Sequence, residues 1–533
     1  MNTKQLKAKV LDLAIHGKLL SPETVAELKK SPDYETADVL LEKIRKEKEE
    51  KIAKGELKRD KKDSYIFVGD DKRHYEKFSD GTVKDIEDEI PFDVPEGWAW
   101  CRLGNIVLFE RGITFPSSAK QLEKSDNNIP CIRTANVQEE LTLDDLIFVD
   151  KTFIKNNIKK IVKEDDIIFS SANSRELVGK ASYVNKIDIE MTFGGFVLVI
   201  RSKINKYVFY FLKREFLFGN FMGESTQTTN IANINTEKLS NILIPVPPQT
   251  EQTLIIERIK YWFKIIADFD KNIKNLETLV NLSKSKILDL AIHGKLVPQD
   301  VNDEPASVLL EKLRAEKEDK IAKGELKRDK NDSYIYKGSD NCYYEKFADG
   351  RTEEIDIPFE IPTTWNWCKL GSICDYGKCI SVNANTLKSE DWILDLEDIE
   401  KDTGKIIAFK SFAERKSEST KHKFCKGQVL YSKLRPYLNK VVIAPKDGYC
   451  TSEILPLNFN NLLTSRYAQV LLMSSYFLGL VNMVTYGVKM PRLGTEDAKK
   501  MLIPIPPMQE QHRIIDKIDT LFARLENIHL ELI

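Results

Sequence analysis

Residues 40–67 read LLEKIRKEKEEKIAKGELKRDKKDSYIF, and residues 309–336 read LLEKLRAEKEDKIAKGELKRDKNDSYIY. The two stretches differ at five of 28 positions, so the chain contains an internal duplication. The same copying returns as LDLAIHGKL at 11–19 and again at 288–296. One large unit is therefore used twice, which is unlike the short period of a solenoid.

The repeated segments enclose two stretches that have diverged. Residues 90–104, IPFDVPEGWAWCRLG, match IPFEIPTTWNWCKLG at 357–371, and ILIPVPPQTEQ from residue 242 matches MLIPIPPMQEQ from residue 501. Between these borders, residues 105–240 and 372–500 share little sequence. This pattern predicts a constant scaffold that presents two variable modules, and duplication followed by simple drift is the alternative.

Apolar residues spaced alternately by four and three predict a coiled-coil seam. The central helix supplies Ile255, Ile259, Trp262, Ile266, Phe269, Ile273, Leu276 and Val280, and the C-terminal segment supplies Ile514, Ile518, Leu521, Leu525, Ile528 and Leu532. We expect residues 252–296 and 511–533 to form an antiparallel pair that acts as a rigid spacer. The alternative is that each helix packs on its own globular domain. Alignment of the repeats leaves three residues between the matches of the two termini, which predicts a ring of two repeats with approximate two-fold symmetry.

Composition excludes several classes of protein. Lysine plus arginine is 81 and aspartate plus glutamate is 82 in 533 residues, so the net charge of −1 points to no partner. The eight cysteines include no C-x-x-C pair, which argues against a disulfide framework and favours a reducing cytoplasm. The start lacks the apolar core of a signal peptide, and the uncharged run 467–488 is better explained as a buried helix than as a membrane span. No H-E-x-x-H, P-loop or G-x-G-x-x-G motif is present.

The distribution of charge is more informative than its sum. Residues 98–248 carry about +2 and residues 365–507 about +6, so the rest carries about −9. The variable modules are thus positive and the scaffold is negative. Positive modules favour nucleic acid, because neutralising phosphates supplies non-specific affinity. The mixed-charge segments 40–62 and 309–331 alternate both signs, which favours a solvated helix or a subunit contact over a phosphate-binding surface.

Polar and basic residues cluster at corresponding places in the two modules, between strand-like stretches. Ser, Thr, Asn, Gln, Arg and Lys are the residues that read base edges and hold phosphates, although they are also ordinary turn residues. Arg175 and Arg435 are the strongest individual candidates, since both lie between apolar strands at corresponding positions. The predicted DNA contacts are Arg111, Arg133, Ser171, Ser174, Arg175, Lys180, Gln227, Thr228, Asn230, Lys378, Ser432, Lys433, Arg435, Tyr437, Asn439, Lys489 and Arg492.

The borders resemble a known family. The frame P-x-x-W-x-W-x-x-L-G at 95–104 and 362–371, a variable module, and L-I-P-[IV]-P-P-x-x-E-Q at 243–252 and 502–511 are similar to the specificity subunit of Type I restriction–modification systems. The resemblance covers nearly the whole chain. It implies an α+β fold in which two mixed α/β target recognition domains are joined by long antiparallel coiled-coil helices.

The resemblance also implies function and partners. Each target recognition domain would read one half of a bipartite site in double-stranded DNA, and the helices would dock two methyltransferase subunits that bring S-adenosylmethionine. An ATP-dependent nuclease and translocase subunit would complete a cytoplasmic complex that defends against phage. The chain itself would have no catalytic residue, metal or cofactor. Trp98 and Trp100 would be packing anchors, because both repeats keep them in the frame.

The resemblance sets the expected segments. We predict a distal helical part at 1–20, charged helical segments at 21–94 and 297–361, target recognition domains at 95–250 and 362–508, a central helix at 251–296 and a C-terminal helix at 509–533. The charged segments are long for the family, and they are either an extra methyltransferase contact or simple insertions.

Two other functions compete with DNA recognition. A structural adaptor that holds two protein partners would be consistent with the mixed-charge helices and would not bind specific DNA. A nuclease would need a Mg²⁺ site, which the carboxylate cluster of Asp395, Glu397 and Asp398 would supply, although the other module has no such cluster and an acidic turn is the simpler explanation.

Overall fold

The computed structural model describes residues 2–60, 62–155, 157–221, 226–228, 231–325, 327–328, 332–415, 417–485, 487 and 490–532. The chain divides into two compact units, Met1–Lys271 and Asn272–Ile533. The boundary falls inside the longest helix, so each unit contains one repeat. Helices and sheets occur in both units, which confirms the predicted α+β class and the two-domain organisation.

The helices of the first unit are α1 (Thr3–Ile15), α2 (Pro22–Leu28), α3 (Ala37–Ala53), α4 (Leu103–Ile106), α5 (Asn205–Leu217) and α6 (Thr236–Ser240), followed by α7 (Gln249–Ile292), which crosses the boundary. Its strands are β1 (Ser64–Val68), β2 (His74–Phe78), β3 (Val83–Asp85), β4 (Ala99–Arg102), β5 (Leu108–Arg111), β6 (Asn128–Ile132), β7 (Ile147–Asp150), β8 (Ile167–Ser170), β9 (Ala172–Asn173), β10 (Ala181–Tyr183), β11 (Thr192–Phe193), β12 (Val197–Arg201), β13 (Thr226–Thr228), β14 (Ile231–Asn233) and β15 (Leu243–Val246).

The helices of the second unit are α8 (Ala306–Ala322), α9 (Leu370–Ile373), α10 (Phe412–Arg415), α11 (Ser465–Met473), α12 (Ser475–Val484), α13 (Thr495–Lys500) and α14 (Met508–Leu532). Its strands are β16 (Ser333–Lys337), β17 (Tyr343–Phe347), β18 (Thr352–Ile355), β19 (Asn366–Lys369), β20 (Ile380–Val382), β21 (Trp392–Leu394), β22 (Lys410–Ser411), β23 (Lys421–Phe424), β24 (Val429–Ser432), β25 (Val441–Ile443), β26 (Gly448–Thr451), β27 (Ile454–Leu457) and β28 (Leu502–Ile505).

The two conserved borders of each variable module are neighbouring strands of one small sheet. Strand β4 pairs with β15, and β19 pairs with β28, both antiparallel. In each pair a buried tryptophan lies opposite a proline, Trp100 opposite Pro245 and Trp367 opposite Pro504. The module therefore begins and ends at the same place on the scaffold. This explains why the borders match while the sequence between them varies.

A second tryptophan in each frame is anchored to the helix that follows the module. The indole Nε1 of Trp98 donates to Glu251 at 2.8 Å, and Trp365 donates to Glu510 at 2.8 Å. Trp98 is 6% exposed and Trp100 is 2% exposed. The frame tryptophans are thus packing anchors, as predicted from their place in the frame.

The charged segments are helical only in part. Helix α3 and its copy α8 carry ion pairs such as Lys46 to Glu42 at 2.8 Å, which is the expected solvated pattern. Each helix is then followed by a three-stranded antiparallel sheet, β1-β2-β3 or β16-β17-β18. The prediction that 21–94 and 297–361 are helical segments is therefore wrong beyond the helices. The run of aromatic and β-branched residues from Tyr65 to Val68 was a strand signal that the charge pattern obscured.

Only some residues of the predicted heptad seam are buried within each unit. Ile255 and Ile259 are buried in the core of the first unit, and Ile514 and Ile518 are buried in the core of the second. Trp262 and Phe269 are exposed by 42% and 48%. The first turns of both helices therefore pack on their own domains, which was the alternative to a coiled coil over the full length.

The cores of the two units repeat one helix contact. The ammonium of Lys7 on α1 lies 5.6 Å from the ring centre of Phe263 on α7. Lys284, the copy of Lys7, lies 5.4 Å from the ring of Phe522 on α14 and 3.3 Å from Glu526. In each unit a helix that ends in the conserved LDLAI motif thus lies beside the helix that leaves the module.

The uncharged run from residue 467 forms two helices. Helices α11 and α12 meet at Ser474 with a bend of 59°, and Tyr467, Leu471 and Val481 are fully buried. No single helix in the described ranges has the length and apolar character to cross a membrane; this bent pair alone meets those criteria when its two helices are taken together. The first of these helices is mostly buried as predicted, whereas Met483 and Val484 at the end of the second are 83% and 40% exposed, and the run is not one continuous helix.

Candidate nucleic-acid interface

In the first unit, two polar segments that are far apart in sequence come together. Strand β9 continues from the end of β8 and pairs with β14 of the β13–β14 hairpin, with Asn173 opposite Ala232. The amide of Ile234 donates to the carbonyl of Ser171 at 2.9 Å. We call the described residues 170–180, 196, 226–228 and 231–234 polar cluster 1.

The second unit has the same arrangement at the end of β24. Leu434 pairs with Arg492, and the amide of Leu493 donates to the carbonyl of Lys433 at 3.0 Å. The amide of Arg435 donates to the carbonyl of Pro491 at 2.7 Å. We call residues 432–440, 453 and 490–493 polar cluster 2. In each unit the structure brings together two polar segments that both contain predicted DNA contacts.

The strongest predicted residues of both clusters face solvent. The Arg175 and Arg435 side chains are exposed, and neither has a side-chain partner within the part of the chain that is described. Tyr437 is 45% exposed, and Arg435 has a left-handed backbone with φ of +47°. Ser174 is exposed as well. These side chains have the access that contact with a phosphate or a base edge requires.

Other predicted residues hold the loops in place. Ser171 and Ser432 are buried, and their hydroxyls donate to the carbonyls of Phe196 and Leu434. Asn439 is buried and donates to the carbonyl of Met473 at 3.1 Å. The structure therefore favours a supporting role for these three rather than a direct contact with a ligand, because their polar groups are already satisfied inside the protein.

The lysines that follow the two loops also have internal partners. Lys180 donates to Gln138 at 2.9 Å. Lys440 donates to the carbonyl of Leu396 at 2.6 Å, and burial lowers the pKa of Lys440 while nearby Asp398 raises it. Both lysines keep part of their surface exposed.

Three predicted residues lie beside the clusters or outside them. Arg111 ends β5 and donates to the Thr236 hydroxyl at 3.1 Å, close to cluster 1. Arg133 donates to the carbonyl of Asp145, and neither residue belongs to cluster 1. Lys378 pairs with Asp375 at 2.8 Å. The structure does not bring Arg133 into the polar cluster.

The structure places most of the remaining predicted residues. Gln227 and Thr228 lie on β13 of cluster 1. Asn230 and Lys489 lie outside the described residues. Lys433 is half-buried beside Cys379, whose pKa is raised by burial while the Lys433 charge lowers it. Arg492 makes a two-pronged contact to Glu453 at 3.0 and 3.2 Å.

The carboxylates suggested for a metal site are occupied by an arginine. The Arg415 guanidinium lies 3.4 Å from Asp395 and also contacts Glu397 and Asp398. Burial raises the pKa of Asp395, and Arg415 lowers it. Among the described residues, no group of three or more His, Cys, Asp or Glu side chains is arranged to hold a metal. Asp395, Glu397 and Asp398 therefore form an ion-pair network with Arg415.

Both units match one family model. The model for the Type I restriction modification DNA specificity domain covers residues 95–278 and again residues 362–533. The chain belongs to this family. Each matched segment starts at the proline before a frame tryptophan and contains one polar cluster. The family's DNA specificity domains are therefore the frame, the variable module and the helix that follows.

Named relatives agree with this assignment. The chain is 24% identical to the Escherichia coli Type I restriction enzyme EcoAI specificity subunit, over 97% of this chain and 88% of that protein. It is 24% identical to the E. coli EcoDI specificity subunit over 60% of this chain, and the match spans 64% of that relative, which is under two thirds of its length. The HsdS subunit from Thermoanaerobacter tengcongensis is 15% identical with a TM-score of 0.39, covering 83% of this chain and 95% of that one, a superposition too loose to support an argument.

Several residues of the specificity-domain clusters were not predicted from sequence. Asn233, Phe196 and Glu453 lie on or beside the paired strands, and Phe196 is 66% exposed. Phe196 joins cluster 1 because its carbonyl accepts from the Ser171 amide at 3.1 Å. An exposed aromatic after the Gly194–Gly195 pair was the signal available in the sequence. Asn233 and Glu453 could be found only from the strand register.

Proposed function

We propose that this chain is the sequence-specific DNA-recognition subunit of a Type I restriction–modification complex, and that it reads a bipartite site. Each unit contributes one target recognition domain, whose polar cluster faces one half-site. The observation that carries the proposal is the double match to the DNA specificity domain, with one solvent-facing polar cluster inside each match. The chain would act in the cytoplasm, without a catalytic residue or cofactor of its own.

The partners follow from the same proposal. Two methyltransferase subunits would dock on the repeated scaffold and bring S-adenosylmethionine, and an ATP-dependent nuclease subunit would join them. Two equivalent docking sites are supported by the repeated helix contacts of Lys7 and Lys284. Once one module has bound its half-site, the linked module is held at a high effective concentration near the other half-site. DNA with only one half-site lacks this gain, so the protein should bind it poorly.

Mapping methylated adenines in cells that carry or lack this gene tests the proposal. We expect one split motif to be methylated in the first strain and unmethylated in the second, and to return when the gene is restored. The same adenine pattern in both strains would overturn the proposal and favour the structural adaptor.

A further inference from the structure

We propose that polar cluster 1 reads adenine and thymine, through Asn173, Asn233 and Phe196, whereas polar cluster 2 reads guanine, through Arg435 and Arg492. The inference rests on the proposed function and adds the base preference of each half-site. It follows from a correspondence between the clusters that is visible in their hydrogen bonds and hidden in their sequences.

Matching backbone bonds define the correspondence. The Ser170 amide donates to the Lys180 carbonyl at 2.9 Å, and the Ser432 amide donates to the Lys440 carbonyl at 3.1 Å. The next residue along each strand also donates to an equivalent carbonyl, Ser171 to Phe196 at 3.1 Å and Lys433 to Glu453 at 3.0 Å. Each in turn accepts from the returning segment, from Ile234 or Leu493.

The shared register identifies which side chains occupy equivalent positions. The equivalent pairs are Asn173 with Arg435, Asn233 with Arg492, and Phe196 with Glu453. The expectation that Arg175 corresponds to Arg435 is therefore wrong. The stretch between the paired Ser and Lys is two residues longer in cluster 1 than in cluster 2, so counting along the sequence misaligns them.

Cluster 1 has carboxamides at two of these positions, where Asn233 is exposed and Asn173 is half-buried. Asn173 accepts from the Ser174 amide at 2.9 Å and donates to the Ser170 hydroxyl at 3.3 Å, which fixes the plane of its side chain. A carboxamide with one bond on each side retains a second lone pair and a second N–H. Asparagine pairs with adenine through its N6 and N7 atoms, and an exposed phenylalanine packs on the thymine methyl group.

Cluster 2 places guanidinium groups at the same positions. Arg435 is exposed, and Arg492 is oriented by its two contacts to Glu453. An arginine fork matches the O6 and N7 acceptors of guanine, which is the commonest base-specific contact in the major groove. The carboxylate at the Phe196 position disfavours the apolar contact with thymine that cluster 1 offers.

The test compares variants in cells that contain the whole complex, with methylation measured at every sequence variant of the motif. We expect Arg435→Ala to relax one guanine position in one half-site by about tenfold to hundredfold. Asn173→Ala should relax an adenine position in the other half-site by a similar factor. Lys426→Ala and Asn127→Ala are matched controls, because both residues are exposed and lie outside the clusters.

Two further variants separate base reading from loss of fold. Arg435→Lys keeps the charge but loses the fork, so we expect methylation to persist with reduced guanine preference. Asn233→Ala repeats the test in cluster 1 if Asn173→Ala abolishes methylation altogether. This inference is overturned if the cluster 1 and cluster 2 variants relax positions in the same half-site, or if the asparagine variants relax guanine and the arginine variants relax adenine. The proposed function still stands in that case, provided that methylation of the motif depends on the gene. Loss of the split motif as a gene-dependent feature overturns both.

Discussion

At the scale of single residues, the buried carboxylate in each frame joins the module to its exit helix. Glu510 is fully buried, and it accepts from Trp365 at 2.8 Å and from Gln299 at 2.6 Å. Burial raises the pKa of Glu510 above its usual value of 4.5, although both hydrogen bonds and nearby Arg513 lower it. The ionised form is therefore less favourable in the folded protein than in the unfolded chain.

This shift predicts a pH dependence of stability with a definite sign. Because the folded pKa is above the unfolded one, Glu510 contributes stability below pH 4.5 that is lost as the pH rises through the folded pKa. Glu510→Gln keeps an oxygen that can accept from Trp365 but removes the ionisable carboxyl group. The free energy of unfolding of this variant, relative to that of the wild type, should therefore increase as the pH rises from 4.5. Urea unfolding followed by tryptophan fluorescence measures this difference. Glu531→Gln, an exposed control, should track the wild type, and an identical pH slope for Glu510→Gln would contradict the prediction.

The residue scale also marks the limit of sequence reasoning about the site. Both clusters, with the exposed Arg175 and Arg435, could be predicted from residue type and from the positive charge of the modules. Burial could not be foreseen for Ser171 and Asn439, because the same residue types serve as turn supports and as base readers. Asn173 is one of the polar residues of the first module, but its correspondence with Arg435 of the second depends on strand register.

At the scale of elements, a close approach of backbone to proline locks the conserved helices onto the frame. Gly17 follows α1 with φ of +66°, and a Cβ there would lie 2.3 Å from Pro95 Cγ. Gly294 follows α7 with φ of +65°, and a Cβ would lie 2.4 Å from Pro362 Cγ. Only glycine accommodates both the left-handed backbone and the contact. The repeated motif A-I-H-G-K is thus a helix stop fitted to a proline.

A third glycine has a similar left-handed backbone but no close neighbour, so it separates the cost of backbone strain from the cost of overpacking. Gly55 has φ of +72°, and a Cβ added there would meet nothing within 4 Å. We expect Gly55→Ala to lower the free energy of unfolding by about 1 kcal/mol, from backbone strain alone. Gly17→Ala should cost about 1–3 kcal/mol more, because it also overpacks against Pro95. Chemical denaturation of both variants measures the difference, and equal losses would show that Pro95 yields without cost.

Element prediction succeeded where the pattern was long and repeated. The helices from residues 249 and 508 follow from apolar periodicity and from the duplicated borders, whereas the pairing of the frame strands was not predicted. The sheet of β1-β2-β3 was missed because its strands are short and follow a strongly charged segment, so charge outweighed a weak strand signal. Strands inside the modules lack a counterpart in the sequence of the other repeat and could not be cross-checked.

At the scale of the whole molecule, the unit boundary at 271/272 lies within a continuous helix. On the proposed function, this helix sets the number of base pairs between the half-sites. Seven residues inserted between Lys271 and Asn272 add two turns, or about 10 Å, which corresponds to about three base pairs. We expect a longer gap with both half-sites unchanged.

Methylation mapping in cells again gives the measurement. Seven residues inserted at the exposed turn Asp80–Gly81 provide a control that lengthens the chain without touching the helix. An unchanged gap in the helix variant, with methylation retained, would mean that the helix does not set the spacing.

The pairing of β4 with β15, and of β19 with β28, has a consequence for inheritance. Since each module leaves and rejoins its support at adjacent points, genetic exchange between related genes could replace everything between those points without disturbing the remainder. The near-identical tracts at 40–67 and 309–336 add a second route. Recombination between them within a single gene would excise one repeat and leave a half-length product with one complete domain, so new target sequences could arise by shuffling rather than by gradual substitution.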